Sequence, residues 1–536
     1  MALTDVGFAS RPKKVVVVGA GPGGLAVALL LAAQGLEVRL FERDEVVGGR
    51  TRTFSTPDGY RFDAGPTFFL YPKALGQIFA ACGERLEDHV ELRRLDPQYR
   101  IVFEGEGEIR ATPNLEGLTA EIARIAPDDA RNVKRFFEHG RAKLKLLEPA
   151  LERAFDSWRS LISWEMVGAL PKLQPMTTVD GELRRFFKDP RVRLAFSFQT
   201  KYIGMSPFKC PSLFSILAFM EYEHGVYHPV GGCGAVTEAM AALARRMGVD
   251  LRLNTPVERV VYEGGEARGV VVGGREVCAD AVVVNADFAH AMPSLVPEAA
   301  RPRWRDRKIE RARLSCSTFM LYLGIEGALP PEVAHHNILL SRDYARNIRE
   351  VSTGVLSEEP SIYLQHAGHT DDGMAPPGGF SLYVLAPVPN LRAGIDWDKE
   401  RGRFRDLVLD RLKLIGMPDI RDRIRYERIV DPRDWRDQFA VHQGATFNLS
   451  HDLRQMLFFR PHNRFGHGLY LVGGGTHPGS GLPVIFEGAR ITTRLLLEDL
   501  AKGAEAPRRP ERRKAREDRR QTPVMSGEIA ARRGAL

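Results

Sequence analysis

The sequence predicts an α/β fold that opens on a Rossmann-like β-α-β unit. Three observations predict it. The β-branched run Val15-Val16-Val17-Val18 reads as a strand buried on both faces. Glycines follow at once in Gly19-Ala20-Gly21-Pro22-Gly23-Gly24. The Ala- and Leu-rich stretch from Leu25 to Gln34 then reads as a helix that Gly35 ends, before Glu37-Val38-Arg39-Leu40-Phe41 resumes an extended course.

Each element has a physical role. Gly19 permits a tight turn, Gly21 lets the backbone approach a pyrophosphate, and Gly24 lets helix and strand pack closely. The helix amino terminus offers free N–H groups and a positive dipole end to phosphates. Glu42 closes the second strand about 20 residues beyond the glycines, where an acid accepts hydrogen bonds from a ribose diol. GxGxxG alone is a weak signal; strand, glycines, helix, strand and acid in this order specify a dinucleotide site. Val15 to Leu36 is uncharged and long enough to span a bilayer, but its internal glycines and proline argue against a span. The first residues, MALTDVGFASRPKK, hold no apolar core of a signal peptide.

Composition sets the wider limits. The chain has 536 residues, 44% hydrophobic and 27% charged, which supports a sizeable core in two or more regions and excludes disorder of the whole. Cys82, Cys210, Cys233, Cys278 and Cys316 form no CxxC pair, which argues against a disulfide framework or a metal site and for a reducing, cytoplasmic interior. Much of the net charge of +8 sits near the carboxy terminus, in PRRPERRKAREDRR from Pro507 to Arg520. Residues 503–536 therefore read as a disordered basic tail. Such a tail is either simply solvated or drawn to anionic lipid headgroups, at about 1 kcal/mol per cation. No aromatic residues interleave with its arginines, so nucleic acid is not the expected partner.

Beyond Glu42, the segment Glu42-Arg43-Asp44-Glu45-Val46-Val47-Gly48-Gly49-Arg50 resembles the E-R-x-x-x-x-G-G-R extension of flavoproteins such as amine oxidases and carotenoid desaturases. The other reading of Arg50 is a surface salt bridge. Phe62-Asp63-Ala64-Gly65-Pro66-Thr67 resembles the D-x-G segment that passes the isoalloxazine in such enzymes. Further stretches narrow the resemblance: Phe196 to Gly204 leading into Glu221 to Gly232, Tyr383 to Leu391, Phe459 to Arg464, and Gly468 to Pro483 with its Gly473-Gly474-Gly475-Thr476-His477-Pro478-Gly479 core. Together they resemble the bacterial-type phytoene desaturase family, over about Lys13 to Leu500.

That resemblance implies a Rossmann-like FAD-binding domain of the amine oxidase/glutathione reductase type with an inserted α+β substrate domain. The FAD-binding domain would comprise residues 1–72, 225–300 and 455–502, and the substrate domain 73–224 and 301–454. The implied FAD contacts are Gly19, Gly21, Gly24, Glu42, Arg43, Gly49, Arg50, Asp63, Gly65, Pro66, Thr67, Val257, Gly474, Gly475, Leu482 and Pro483. A helix starting at Leu482 would point its positive end at the flavin's electron-rich pyrimidine. The chain departs from the family at Leu482-Pro483-Val484-Ile485-Phe486-Glu487, where a smaller I-P-G-V-like continuation is usual; Phe486 and Glu487 leave substrate length or end group open.

The implied reaction is desaturation of a long isoprenoid, phytoene or dehydrosqualene, with oxygen or a quinone as the final electron acceptor. Such a hydrocarbon has no carbonyl to acidify a C–H bond, so a hydride leaves to the flavin and a proton leaves the neighbouring carbon. Candidate proton acceptors are Glu221, Glu223, His228, His477 and Glu487, with Glu487 and His477 ranked first as catalytic; the alternative for each is a structural hydrogen bond. A carotenoid oxidase or saturase, a flavin amine oxidase and a non-enzymatic prenyl-binding chaperone of the GDP-dissociation-inhibitor type are the rival readings. A peripheral membrane protein is expected, since such a substrate lives in the bilayer. Asp128 to Leu170, with Phe136, Phe137, Leu144, Leu147, Leu151, Phe155, Trp158, Leu161, Ile162 and Trp164, reads either as a helix lying at the membrane surface or as one packed on the protein's own core.

Overall fold

The structure, a computed structural model, describes residues 12–151, 153–155, 173–174 and 176–505. The valine run is the strand Lys14–Val18, paired in parallel with Glu37–Phe41 on one side and Ala281–Val284 on the other. Asp250–Arg252 extends the sheet beyond Glu37–Phe41, Leu469–Leu471 extends it beyond Ala281–Val284, and Arg464–Gly466 ends it as an antiparallel edge. Segments 1–72, 225–300 and 455–502 thus each contribute two strands to one six-stranded sheet.

Cover on both faces explains the unbroken valines. The helix Pro22–Ala32 has Gly23 to Leu31 buried, with no polar face at all. A helix apolar on every side must be enclosed on every side. Here the helices Cys233–Arg246 and Leu482–Glu505 pack against it, with the sheet behind. Pro22 sits in the first helical turn, where its missing N–H costs no hydrogen bond. An antiparallel trio, Val257–Glu263, Glu266–Val272 and Arg275–Cys278, leads from this sheet into Ala281–Val284.

The remaining core is a seven-stranded sheet in the order Ile424–Val430, Ser317–Glu326, Gly379–Val388, Ile362–His366, His336–Leu340, Tyr99–Phe103, Gly107–Ala111. Every pairing is antiparallel except that of His336–Leu340 with Tyr99–Phe103. The period of two sorts its central strand. Phe319, Leu321, Leu323 and Ile325 face Trp397 and Phe404 of the helix Trp397–Leu412. Met320 and Tyr322 face the opposite way, into a cluster with Tyr60, Phe62 and Tyr383. That second face looks toward the site.

For the stretch from Asp128, the core-packed reading holds as far as the described residues reach. Phe136 and Phe137, on the helix Val133–Leu151, sit among Phe187, Phe196, Phe219 and Tyr222. Leu147 and Phe155 are also buried, and Leu144 is half-buried. Trp158, Leu161, Ile162 and Trp164 lie outside the described residues, as does the tail beyond Glu505. Among the described residues no helix is long and apolar enough to cross a membrane.

Candidate active site

One continuous cavity of about 1250 Å³ runs from the carboxyl ends of the six-stranded sheet to the inner face of the seven-stranded one. One end is walled by Gly19, Gly21, Glu42, Arg43, Gly49, Arg50 and Val257. Gly65, Pro66, Thr67, Gly474, Leu482 and Pro483 line it further on, and Phe68, Phe198, Lys201, Tyr202, Ile338, Tyr363, Tyr383 and Leu385 also belong to its walls. Thirteen of the sixteen positions expected to hold the cofactor are in these walls, and Gly24, Asp63 and Gly475 are not.

Those three positions support the wall from behind. A Cβ on Gly24 would lie 2.0 Å from the Gly19 carbonyl oxygen, so its job is helix-to-turn packing. A Cβ on Gly475 would meet the Phe288 Cβ at 2.6 Å. Asp63 is buried and accepts from Thr53 Oγ1 at 2.6 Å and Cys233 N at 2.8 Å, tying its segment to the start of the helix Cys233–Arg246; burial raises its pKa. The inner face of the large sheet fixes the rest of that segment. Tyr322 Oη donates to Ala64 O at 2.6 Å, and Tyr383 Oη donates to Gly65 O at 2.7 Å.

The geometry at the end walled by Gly19 and Gly21 could hold a diphosphate. Gly21 caps the helix with no side-chain cap and no acid in the first turn, leaving N–H groups for an anion. A Cβ on Gly49, whose φ is +53°, would meet only the Gly21 Cα at 3.8 Å, so two glycines face each other across open space. Arg50 donates from Nη1 to Thr446 O at 2.8 Å and has no ion pair among the described residues. Burial lowers its pKa and Asp287 only partly opposes this, so the surface salt-bridge reading of Arg50 fails. Glu42 is held rigid by Ala20 N, 2.7 Å from Oε2, and Asp44 N, 3.0 Å from Oε1. Arg43 is exposed at the rim and donates to Gln438 O at 3.0 Å. A half-buried cation with no direct ion pair among the described residues, an open helix end and a fixed acid could together hold the phosphates and ribose of a dinucleotide.

The proton-acceptor candidates fare differently, since none of the five lines the cavity. His477 lies behind the glycine loop, its Nε2 3.0 Å from Arg153 O and its ring against Phe155; burial takes its pKa down to about 4. Glu487 stands a turn beyond Pro483 and Ile485, where Arg490 takes its charge at 2.8 Å. Helix periodicity puts the first turn on the cavity and carries Glu487 past it, while His477 sits in the loop before that helix, so neither residue expected to be catalytic faces the cavity. Glu223 is held by Arg141 at the surface, and His228 is fully buried 3.1 Å from Asp371 Oδ2. Glu221 is sealed among Tyr99, Tyr202 and Gln199, and burial pushes its carboxyl up to about 8.

Sequence reasoning passed over three residues. Arg460 is wholly buried and clamps the glycine loop through Gly474 O at 2.6 Å and Thr476 O at 3.2 Å. Lys201 lines the cavity over the Tyr344 ring at 4.8 Å, and burial takes its amine down to about 7. Tyr363 reaches Thr67 across 296 positions of sequence. The first two stood in stretches already singled out; for Tyr363 the alternation of Ile362 to His366 marks a strand and nothing more.

Residues 22–493 match the family model described as flavin containing amine oxidoreductase. The chain belongs to that family. It is therefore a flavin oxidoreductase. A 4,4'-diapophytoene desaturase (4,4'-diapolycopene-forming) of Methylomonas sp is 40% identical over 492 residues, 91% of this chain and 96% of the relative. An all-trans-zeta-carotene desaturase of Myxococcus xanthus is 40% identical over 501 residues, 92% and 94% of the two chains. Among solved structures, an oxidoreductase from Methanosarcina mazei aligns with a TM-score of 0.61 at 18% identity, covering 89% of this chain and 99% of its own. Cyclohexylamine oxidase from Brevibacterium oxydans aligns at 0.55 and 16% identity, covering 91% and 100%. At those identities the structures share the fold of this flavin oxidoreductase.

Proposed function

We propose that this protein is an FAD-dependent desaturase that removes a hydride and a proton from neighbouring carbons of a long isoprenoid hydrocarbon, phytoene or dehydrosqualene, in carotenoid biosynthesis. The observation that carries this reading is the 40% identity to two desaturases of such polyenes over more than nine-tenths of the chain. The site is consistent with it. Gly21, Gly49, Arg50 and the free end of the helix Pro22–Ala32 would hold the diphosphate, Glu42 the ribose, Val257 the adenine side, and Gly65 to Thr67 with Gly474, Leu482 and Pro483 the isoalloxazine side. Bound there, FAD would supply the two-electron acceptor for the hydride. Phe68, Phe198, Ile338 and Leu385 give the substrate apolar walls that exclude water and hold the chain in register. We divide the chain accordingly, into a cofactor domain of residues 1–72, 225–300 and 455–502 and a substrate domain of 73–224 and 301–454.

The departure at Phe486 and Glu487 does not disturb this reading. Phe486 is buried in the cofactor-side core and Glu487 is paired with Arg490, and neither reaches the cavity. Oxygen or a quinone would reoxidise the flavin, and the protein would work at the cytoplasmic membrane surface. If the purified protein leaves liposomes of any composition untouched at every salt concentration, the peripheral membrane reading fails. The functional test is the visible spectrum of lipid extracts from cells that express this chain beside a source of dehydrosqualene or of phytoene. New banded absorbance with one precursor is the expected result. Colourless extracts with both, from cells holding flavin-loaded protein, overturn it.

A further inference from the structure

A short chain of side-chain hydrogen bonds leads out of the cavity to an imidazole that the cofactor site leaves unused. Thr67 and Tyr363 both line the cavity, and their hydroxyl oxygens are 2.6 Å apart. Tyr363 Oη is in turn 2.7 Å from Nδ1 of His336. Strand register explains the contact: Tyr363 pairs with Ile338, so His336 is its diagonal neighbour on the same face. His336 is wholly buried, and Phe68 lies flat across its ring with centroids 4.1 Å apart and planes at 15°. Its Nε2 is buried and has no hydrogen-bond partner among the described residues. Thr67 belongs to the segment expected beside the isoalloxazine, so this chain starts where the reacting carbons would lie.

We propose that Tyr363 and His336, with Thr67, form the proton acceptor of the reaction, the Tyr363 hydroxyl touching substrate and His336 Nδ1 taking the proton through it. The inference rests on the desaturase reading. One C–H bond would lose its hydrogen together with the bonding electron pair, as a hydride for which bound FAD would supply the acceptor. The adjacent C–H bond then breaks, its electron pair becomes the new C=C bond, and its proton passes to the Tyr363 oxygen as the phenolic proton passes to His336 Nδ1. Loss of the hydride makes that second C–H strongly acidic, so a weak base suffices. Burial keeps His336 well below the ordinary imidazole range and raises the Tyr363 phenol, so both rest neutral. The groups facing this pair are His335, whose ring centroid is 4.4 Å from that of His336, then His228 and Asp371 behind, with Asp63 and Cys233 beside Tyr363. The Asp371 carboxylate, held down to about 2 chiefly by its hydrogen bond with His228, is the negative charge behind the imidazole cluster.

Two readouts test this on flavin-loaded protein. In ¹⁵N NMR of imidazole-labelled protein, His336 is expected as the neutral Nε2–H form with Nδ1 accepting a hydrogen bond, and Tyr363→Phe is expected to abolish that signature. A His336 that carries its proton on Nδ1 overturns the proposal whether or not any polyene turns over. In turnover, Tyr363→Phe and His336→Gln are expected to lower kcat by roughly a hundred- to ten-thousand-fold with KM and flavin content unchanged. Thr67→Val, the mildest change, is expected to lower kcat less, and Thr67→Ser to restore it. Wild-type turnover measured alongside checks the desaturase reading by itself; wild-type kcat in Tyr363→Phe, beside an active wild type, overturns the relay alone.

Discussion

Arg50→Met separates a cofactor-binding cation from a structural one. In the structure the guanidinium has one carbonyl partner, Thr446 O at 2.8 Å, and its nearest compensating charge is Asp287. Asp287 keeps its own donors in the variant, His290 N at 3.1 Å and His442 N at 3.4 Å. A hydrogen bond to a charged group contributes about 1.5–3 kcal/mol, so losing the contact to a diphosphate weakens flavin binding roughly 10- to 150-fold. The flavin-free protein behaves otherwise. It loses one neutral-acceptor bond of about 1 kcal/mol but also the cost of holding a half-buried cation, so its urea midpoint is expected to stay nearly level. The assay is equilibrium titration of flavin fluorescence beside urea unfolding of flavin-free protein. A dissociation constant within two-fold of wild type, or a flavin-free variant that is destabilised by about 3 kcal/mol or more, refutes the reasoning; the latter is the signature of a broken structural ion pair.

Three further perturbations have distinct outcomes. Gly24→Ala forces a Cβ to within 2.0 Å of the Gly19 carbonyl oxygen and is expected to cost about 3 kcal/mol and most bound flavin, whereas Gly35→Ala, with nothing within 4 Å, costs only the ~1 kcal/mol of its positive φ; equal thermal shifts for the two contradict this. Lys201 has its amine lowered from 10.5 to about 7 by burial, so the folded state binds fewer protons than the unfolded state between those values and stability rises with pH across that window. Lys201→Met is therefore expected to gain stability below pH 7, with the gain fading to nothing near pH 10.5; parallel denaturation curves at all pH values sink the idea. Glu487→Ala removes a half-buried pair with Arg490 and is expected to leave turnover within two-fold and stability within about 1 kcal/mol, and a hundred-fold loss of kcat returns Glu487 to the chemistry.

Much of the fold was legible because its signals are local. Val15 to Glu42 announces strand, turn, helix, strand and acid within one short window, and every one of those elements forms as expected. One end of the cavity wall was legible for the same reason, since Gly19, Gly21, Glu42, Arg43, Gly49 and Arg50 fall within one short window of sequence and all line it. The candidate bases were not. Glu487 and His477 are close in sequence to wall residues, but closeness along a helix or loop does not say which way a side chain points. Tyr363 and His336 gave no signal, because their meaning comes from the pairing of their two strands and from a side-chain hydrogen bond between Tyr363 and Thr67, almost 300 positions away. Arg460 shows the same limit: an arginine in an apolar interior is explained only by the carbonyls of a loop that folds back over it.

Anaerobic mixing of flavin-loaded protein with dehydrosqualene or phytoene in liposomes, followed by the flavin spectrum and by product absorbance together, tests the central claim most directly. The account predicts that the oxidised flavin bleaches with one of the two polyenes, that one new double bond appears per flavin reduced, and that amines leave the flavin oxidised. Bleaching by an amine, with both polyenes recovered unchanged, would contradict it.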